Sequence, residues 1–219
     1  MTVMLELSPD DLLQTCRSVR KRLDLTRPVP DDLVRECAAA ALQAPSGSNV
    51  VTMGFVVVRD AEKRRAIGDV YARCWELYKA TPFYAGAIDK ETPAERAQQD
   101  RVVASAHYLA EHMGEVPAIV IACSIGMRID GQPAMVAASV LGNVLPATWS
   151  FMLAARARGL GTSWTTIHLM MEREVAAICD IPYDTVQQAC LSPLAFTLGT
   201  DFRPAARPDP DAVLHWDSW

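Results

Sequence analysis

The chain of 219 residues carries four histidines and no HExxH, GxSxG or CxxC pattern, so zinc-hydrolase, serine-hydrolase and dithiol chemistries lack sequence support. Its six cysteines, Cys16, Cys37, Cys74, Cys123, Cys179 and Cys190, are widely spaced, and no histidine stands where it would complete a zinc site with them. They read as reduced, mostly buried thiols of a cytoplasmic protein. The opening stretch MTVMLELSPDDLL has neither a basic region nor a continuous apolar run, so no secretory signal is expected. Excess positive charge is missing too. Lys+Arg number 21 against 26 Asp+Glu, and the net charge of -5 excludes a molecule-wide field for nucleic acid or an anionic membrane, though not a local basic site. The 11 Gly and 14 Pro form neither a period nor a block, which removes collagen-like, low-complexity and long-linker readings. No carboxylate pair stands out as a glycosidase dyad.

What is present suits one sizeable core: hydrophobic residues make up 50% of the chain, and a single domain over residues 1–219 is expected. Ser8-Pro9-Asp10-Asp11 places a hydroxyl cap, a first-turn proline and two acids at a helix start, with the helix running to about Arg17. Val29-Pro30-Asp31-Asp32 opens a second helix, in which Leu33, Cys37, Ala38, Ala41 and Leu42 recur at helical spacing until Pro45. Amphipathic helices are predicted over 61–80 and 93–114, a short helix over 172–179, and strands over 55–58, 116–123, 161–167 and 195–198. Few strands among clustered long helices fit an α+β sheet flanked by helices better than a doubly wound fold.

Residues 134–155 contain no charge and are long enough to span a bilayer. Ser139, Gly142, Asn143, Pro146, Thr148 and Ser150 lower their hydrophobicity, and no polybasic anchor flanks them. The segment therefore reads as a helix central to a soluble core or dimer interface rather than a membrane span. The Pro-rich end of the chain, with His215-Trp216 and Trp219, is too apolar for a free tail and is expected to dock on this chain or a second one.

Three segments could carry chemistry. Arg17-Ser18-Val19-Arg20 supplies two guanidinium forks and a hydroxyl that together suit a phosphomonoester, or equally a solvated basic face balancing the acids at 10, 11, 31 and 32. Ala44-Pro45-Ser46-Gly47-Ser48-Asn49 is a polar turn between a helix and a buried strand, from which backbone amides and an Asn amide can reach a ligand, or which merely connects the two. Gly159-Leu160-Gly161-Thr162 is not GxGxxG, and a glycine helix stop leading into a strand explains it locally. His107 and His112 point to different helix faces, and His168 and His215 read as surface or hydrogen-bonded histidines. A chain so short of acids, bases and nucleophiles binds something or borrows its chemistry from a cofactor.

Taken in order, RSVRKRLD (17–24), PVP (28–30), APSGSN (44–49) running into FVVV (55–58), VPAIVIA (116–122), LAARARGLGTSW (153–164), TTIHL (165–169), IP (181–182) and FTLGTDFRPAARP (196–208) before HWDSW resemble the nitroreductase family of FMN-dependent oxidoreductases. The resemblance implies a mixed sheet with surrounding helices and a homodimer whose chains exchange terminal segments to build two flavin sites. It places Arg17, Ser18 and Arg20 on the FMN phosphate and ribityl chain, helped by Arg207 and Arg203. Pro45, Ser46, Gly47 and Asn49 would come from the other chain to line the ribityl and ring edge, and Trp164, Thr165 and Thr166 would cover the isoalloxazine. The implied reaction is ping-pong: NADH or NADPH as co-substrate, then a small-molecule acceptor such as a nitroaromatic, quinone or activated alkene.

Members commonly carry Gln where this chain has Val51, an aromatic where it has Met53, and Arg where it has Cys16. One ring hydrogen bond and one phosphate contact are thus expected to be lost. A flavin storage or sequestration protein with little turnover is the alternative reading.

Overall fold

The computed structural model describes residues 4–219; residues 1–3, which open the stretch read for an export signal, lie outside the described residues. Ten regular elements follow one another: α1 (Pro9–Thr15), α2 (Asp31–Ala41), β1 (Met53–Val58), α3 (Ala61–Lys79), α4 (Pro93–His112), β2 (Ala118–Ile125), α5 (Ala134–Ala157), β3 (Leu160–Thr162), α6 (Glu172–Ile178) and β4 (Val186–Phe196). The helix starts are those the sequence announces. Ser8 accepts from the Asp11 N–H, and Thr92 and Glu95 form a reciprocal capping box at the head of α4.

The strands lie in the order β1-β2-β4-β3, each pair antiparallel. A parallel bridge between Ser18 and Thr162 makes the assembly mixed. Both faces of the sheet are covered. Ala118 and Val120 of β2 pack with Leu33, Cys37, Phe151 and Ala155 of α2 and α5, while Ile119, Ile121 and Cys123 pack with Ile67, Trp75 and Leu109 of α3 and α4 and with Val175 of α6. Two-sided burial is why VPAIVIAC is continuously apolar rather than alternating. Four of the six cysteines are buried, all six are free, and burial pushes the Cys123 and Cys190 thiols up to about 12.

Two strand boundaries differ from the expectation. The last strand was expected over 195–198 but runs from Val186, through Gln187, Gln188, Ser192 and Pro193, polar and ring residues that do not read as strand. Their amide nitrogens find partners inside the core: Gln187 Nε2 donates to Glu172 Oε1 at 3.2 Å, and Gln188 Nε2 donates to the Glu172 carbonyl at 3.0 Å, while Gln188 Oε1 is buried without a partner. The third strand, expected over 161–167, stops at Thr162 because Ser192 Oγ takes the Ser163 N–H at 3.0 Å, and pairing resumes only at Thr165 opposite Leu191. The terminal residues from 206 onward are exposed, so the tail does not dock on its own chain.

Candidate functional site

Glycine at 161 sets the geometry of the site. A Cβ there would lie 2.8–2.9 Å from side-chain atoms of Thr197, Leu23 and Val19, so only a bare backbone lets the 17–24 segment lie against β3. The Val19 N–H then donates to the Thr162 carbonyl at 2.8 Å, and the Asp24 N–H to the Phe196 carbonyl at 2.8 Å. The 17–24 segment is thereby laid along the sheet edge, with the arginines on either side of Val19 exposed to a cleft.

That cleft, of about 1190 Å³, brings together Arg17, Ser18, Arg20, Trp164, Arg203 and Arg207. Residues from 17–20 and from 203–207 meet because Arg17 Nη1 donates to the Arg203 carbonyl at 3.0 Å, and Arg22 ties Leu198 and Asp201, its Nη2 standing 2.7 Å from Asp201 Oδ1. Burial lowers the Arg20 guanidinium pKa, yet Arg20 stays a cation at neutral pH. Cys16 lies on the same wall; burial pushes its thiol up to about 11, so it is neutral.

The other expected residues lie elsewhere. Pro45, Ser46 and Val51 line a separate hollow with Thr52, Asn143 and Ala147, and Val51 is 60% exposed. In that loop Ser48 and Asn49 take left-handed backbone (φ 54° and 57°), and Asn143 Oδ1 accepts from the Gly47 N–H. Asn143 also donates to Thr52 Oγ1 at 2.9 Å, so α5 fixes the loop. Thr165 and Thr166 do not line the large cleft; Thr165 is bonded at 2.9 Å to Tyr71, whose buried hydroxyl is pushed up by desolvation. Within one chain, then, the structure builds the phosphate-suited half of the expected site and holds the 44–51 loop apart from it.

Sequence reading missed Arg101 and Gln98 on α4, Trp149 and Met152 on α5, and the buried Arg156. Gln98 and Arg101 share one face of α4 at i,i+3, a spacing visible in the sequence but indistinguishable there from a solvated stripe. Arg156 Nε donates to the Thr15 carbonyl at 3.2 Å and its Nη2 to the Thr200 carbonyl at 3.0 Å, stitching together the segments that precede Arg17 and Arg203. His168, read as surface or satisfied, is neither: it is fully buried with both ring nitrogens unpartnered, and burial lowers its pKa to about 4.

A helix-flanked antiparallel sheet with an arginine-lined cleft at its edge defines an α+β protein. The nitroreductase family profile matches residues 13–199, and the chain belongs to that family. No curated protein sequence matches it. Among solved structures it is similar to oxidised iodotyrosine deiodinase bound to FMN and 3-iodo-L-tyrosine, at 18% identity and TM-score 0.69, over 96% of this chain and 99% of that one. A protein described as a nitroreductase from Desulfovibrio desulfuricans subsp., in complex with FMN, gives 17% identity, TM-score 0.64 and coverages of 97% and 99%. The nitroreductase-like protein from Bacillus cereus gives 17%, 0.64 and 98% of both chains.

Proposed function

We propose that this chain is an FMN-dependent oxidoreductase that takes electrons from NADH or NADPH and passes them to small electrophiles such as nitroaromatics, quinones or activated alkenes, in alternating ping-pong steps. The observation that carries this reading is the convergence of Arg17, Ser18 and Arg20 with Arg203, Arg207 and Trp164 on one cleft. The donor set fits a flavin phosphate: none of these four arginines is within ion-pair distance of a carboxylate among the described residues, so all four are available to an anionic ligand. When bound, FMN would supply hydride acceptance from the nicotinamide and electron delivery to the acceptor.

The chain's own residues would bind and orient. Arg17, Ser18, Arg20, Arg203 and Arg207 would hold the phosphate, and Trp164 would give a flat wall for the ring. Guanidinium charge along the cleft favours negative charge developing on that ring. The cleft is lined by no histidine among the described residues, and its one carboxylate, Asp201, is engaged by Arg22.

The active unit would be a homodimer. The described chain exposes 12460 Å², whereas a compact monomer of 24.0 kDa exposes about 9,900 Å². Met135, Trp149, Val213, Leu214, Trp216 and Trp219 are exposed, and β1 offers an unpaired edge. A second copy covering them would bring its own 44–51 loop to this cleft, with Pro45, Ser46, Gly47, Asn49 and Val51 completing the ring site alongside Thr165 and Thr166. A cytoplasmic location agrees with six free thiols.

The test is the absorbance of purified protein before and after anaerobic NADPH or NADH. Bleaching of bound flavin supports the enzyme, bound flavin that stays yellow supports storage, and no flavin after FMN is added back sinks the cofactor. Arg17→Ala with Arg203→Ala should weaken FMN binding about a hundredfold or more, since two charge-assisted contacts are lost. Unchanged occupancy in the folded double variant would move the phosphate elsewhere.

A further inference from the structure

The cleft holds more positive charge than one cofactor phosphate needs. Six arginines line it, Arg17, Arg20, Arg22, Arg101, Arg203 and Arg207, against a single carboxylate, Asp201. Arg22 pairs with that carboxylate at 2.7 Å, which leaves five guanidinium groups with no ion-pair partner among the described residues. A phosphomonoester carries about two negative charges at most. Roughly three cations therefore remain in the cleft.

The surplus has a direction. Arg101 stands on α4 with Gln98, on a wall contributed by neither the 17–22 segment nor the 201–207 segment. Beyond it, Gln98, Ala206 and Arg207 also line an adjoining chamber of about 440 Å³, where Lys90 is the further cation and Glu95, tied to the Thr92 cap, is the acid. The cleft's cationic lining thus extends to Arg101 on α4 and ends there, since the α4 residues lining the adjoining chamber are Glu95, Gln98 and Gln99. Like charges gathered in a concave, partly apolar site raise the local concentration of an opposite charge.

We infer that the cleft binds a second anionic group, a phosphate or carboxylate carried by a reactant rather than by the flavin, with Arg101 as its principal ligand and Gln98 as a neutral donor. The inference rests on the FMN reading above and names the class of reactant that site prefers. Two sources share this chemistry: the 2′-phosphate that distinguishes NADPH from NADH, and an acceptor with an ionised carboxylate.

The experiment uses FMN-loaded wild-type protein and its Arg101→Gln and Arg101→Lys variants, with two reactant pairs differing in one anionic group. These are NADPH against NADH, and 4-nitrobenzoate against its methyl ester. Flavin content is read separately from absorbance. Arg101→Gln should lower kcat/KM for the anionic member of one pair about tenfold, leave the other member within about twofold, and be rescued by Arg101→Lys. A change in the nicotinamide pair assigns the donor phosphate; a change in the nitrobenzoate pair assigns an anionic acceptor. Both ratios unchanged at normal flavin content overturn the inference while leaving the oxidoreductase intact. If Arg101→Gln does not fold, Gln98→Leu reads the same ratios, with unchanged ratios again overturning it. A wild-type chain that takes up no FMN overturns the oxidoreductase reading and this inference together.

Discussion

At the scale of single residues, His168 shows most directly how burial overrides type. Its imidazole is fully buried without a partner and its pKa is lowered to about 4 from 6.5, so it is neutral in the fold and must be charged in the unfolded chain at acid pH. A folded pKa below the unfolded one means that stability is full above about 6.5 and is lost as pH falls toward about 4, by up to about 3 kcal/mol. His168→Leu should flatten that dependence in urea melts between pH 7 and 4.5 and leave stability at pH 7 equal or higher, because no hydrogen bond is lost. A steep acid loss that persists in the variant would place the sensitivity elsewhere. Nothing in TTIHL distinguishes this histidine from a surface one, since what buries it comes from elements distant in sequence. Arg17, Ser18 and Arg20 were legible for the opposite reason: their chemistry is local, two forks and a hydroxyl within four residues.

Between elements, the segment that leads into α5 is held by Arg128, which pairs with Asp130 beside it and with Glu172 on α6. Arg128 meets both carboxylate oxygens of Glu172 on α6, Oε1 at 3.1 Å and Oε2 at 2.8 Å, and lies over the Tyr183 ring. Glu172 Oε1 also accepts from the Gln188 N–H at 3.0 Å, so one carboxylate joins that segment, α6 and β4. Glu172→Gln keeps the shape but leaves the Arg128 guanidinium, whose side chain is only 13% exposed, with Asp130 as its one remaining charged partner, and should cost about 2 kcal/mol. Thermal melts, together with limited proteolysis of the 126–133 segment, check this; an unchanged melting temperature would show the pair to be dispensable. This clamp also explains why the last strand was hard to read: Gln187 and Gln188 look like loop until a carboxylate from another element takes the Gln187 amide and the Gln188 N–H. Helix starts, by contrast, were readable at Ser8 and Pro30, where the signal and the first-turn acids are adjacent in sequence.

For the whole molecule, assembly follows from surface rather than from motif. Light scattering should give twice the 24.0 kDa chain mass, and Trp216→Glu with Trp219→Glu should shift it toward the single-chain value and reduce flavin content. A wild-type monomer with full flavin occupancy would remove the shared-site proposal. The order of the family segments was legible along nearly the entire chain, and the separation of the 44–51 loop from the arginine cleft within one chain agrees with the expectation that this loop serves the other chain's site, whereas the contribution of α4 through Gln98 and Arg101 was not legible. One further consequence belongs to the cleft itself. Its walls come from residues about 17 and about 203, joined by the Arg17 and Arg203 contact across 186 positions. During synthesis the early wall therefore waits for the segment around residue 203 to emerge, so any ligand gripped by both walls is captured only after all four strands of the sheet have been made.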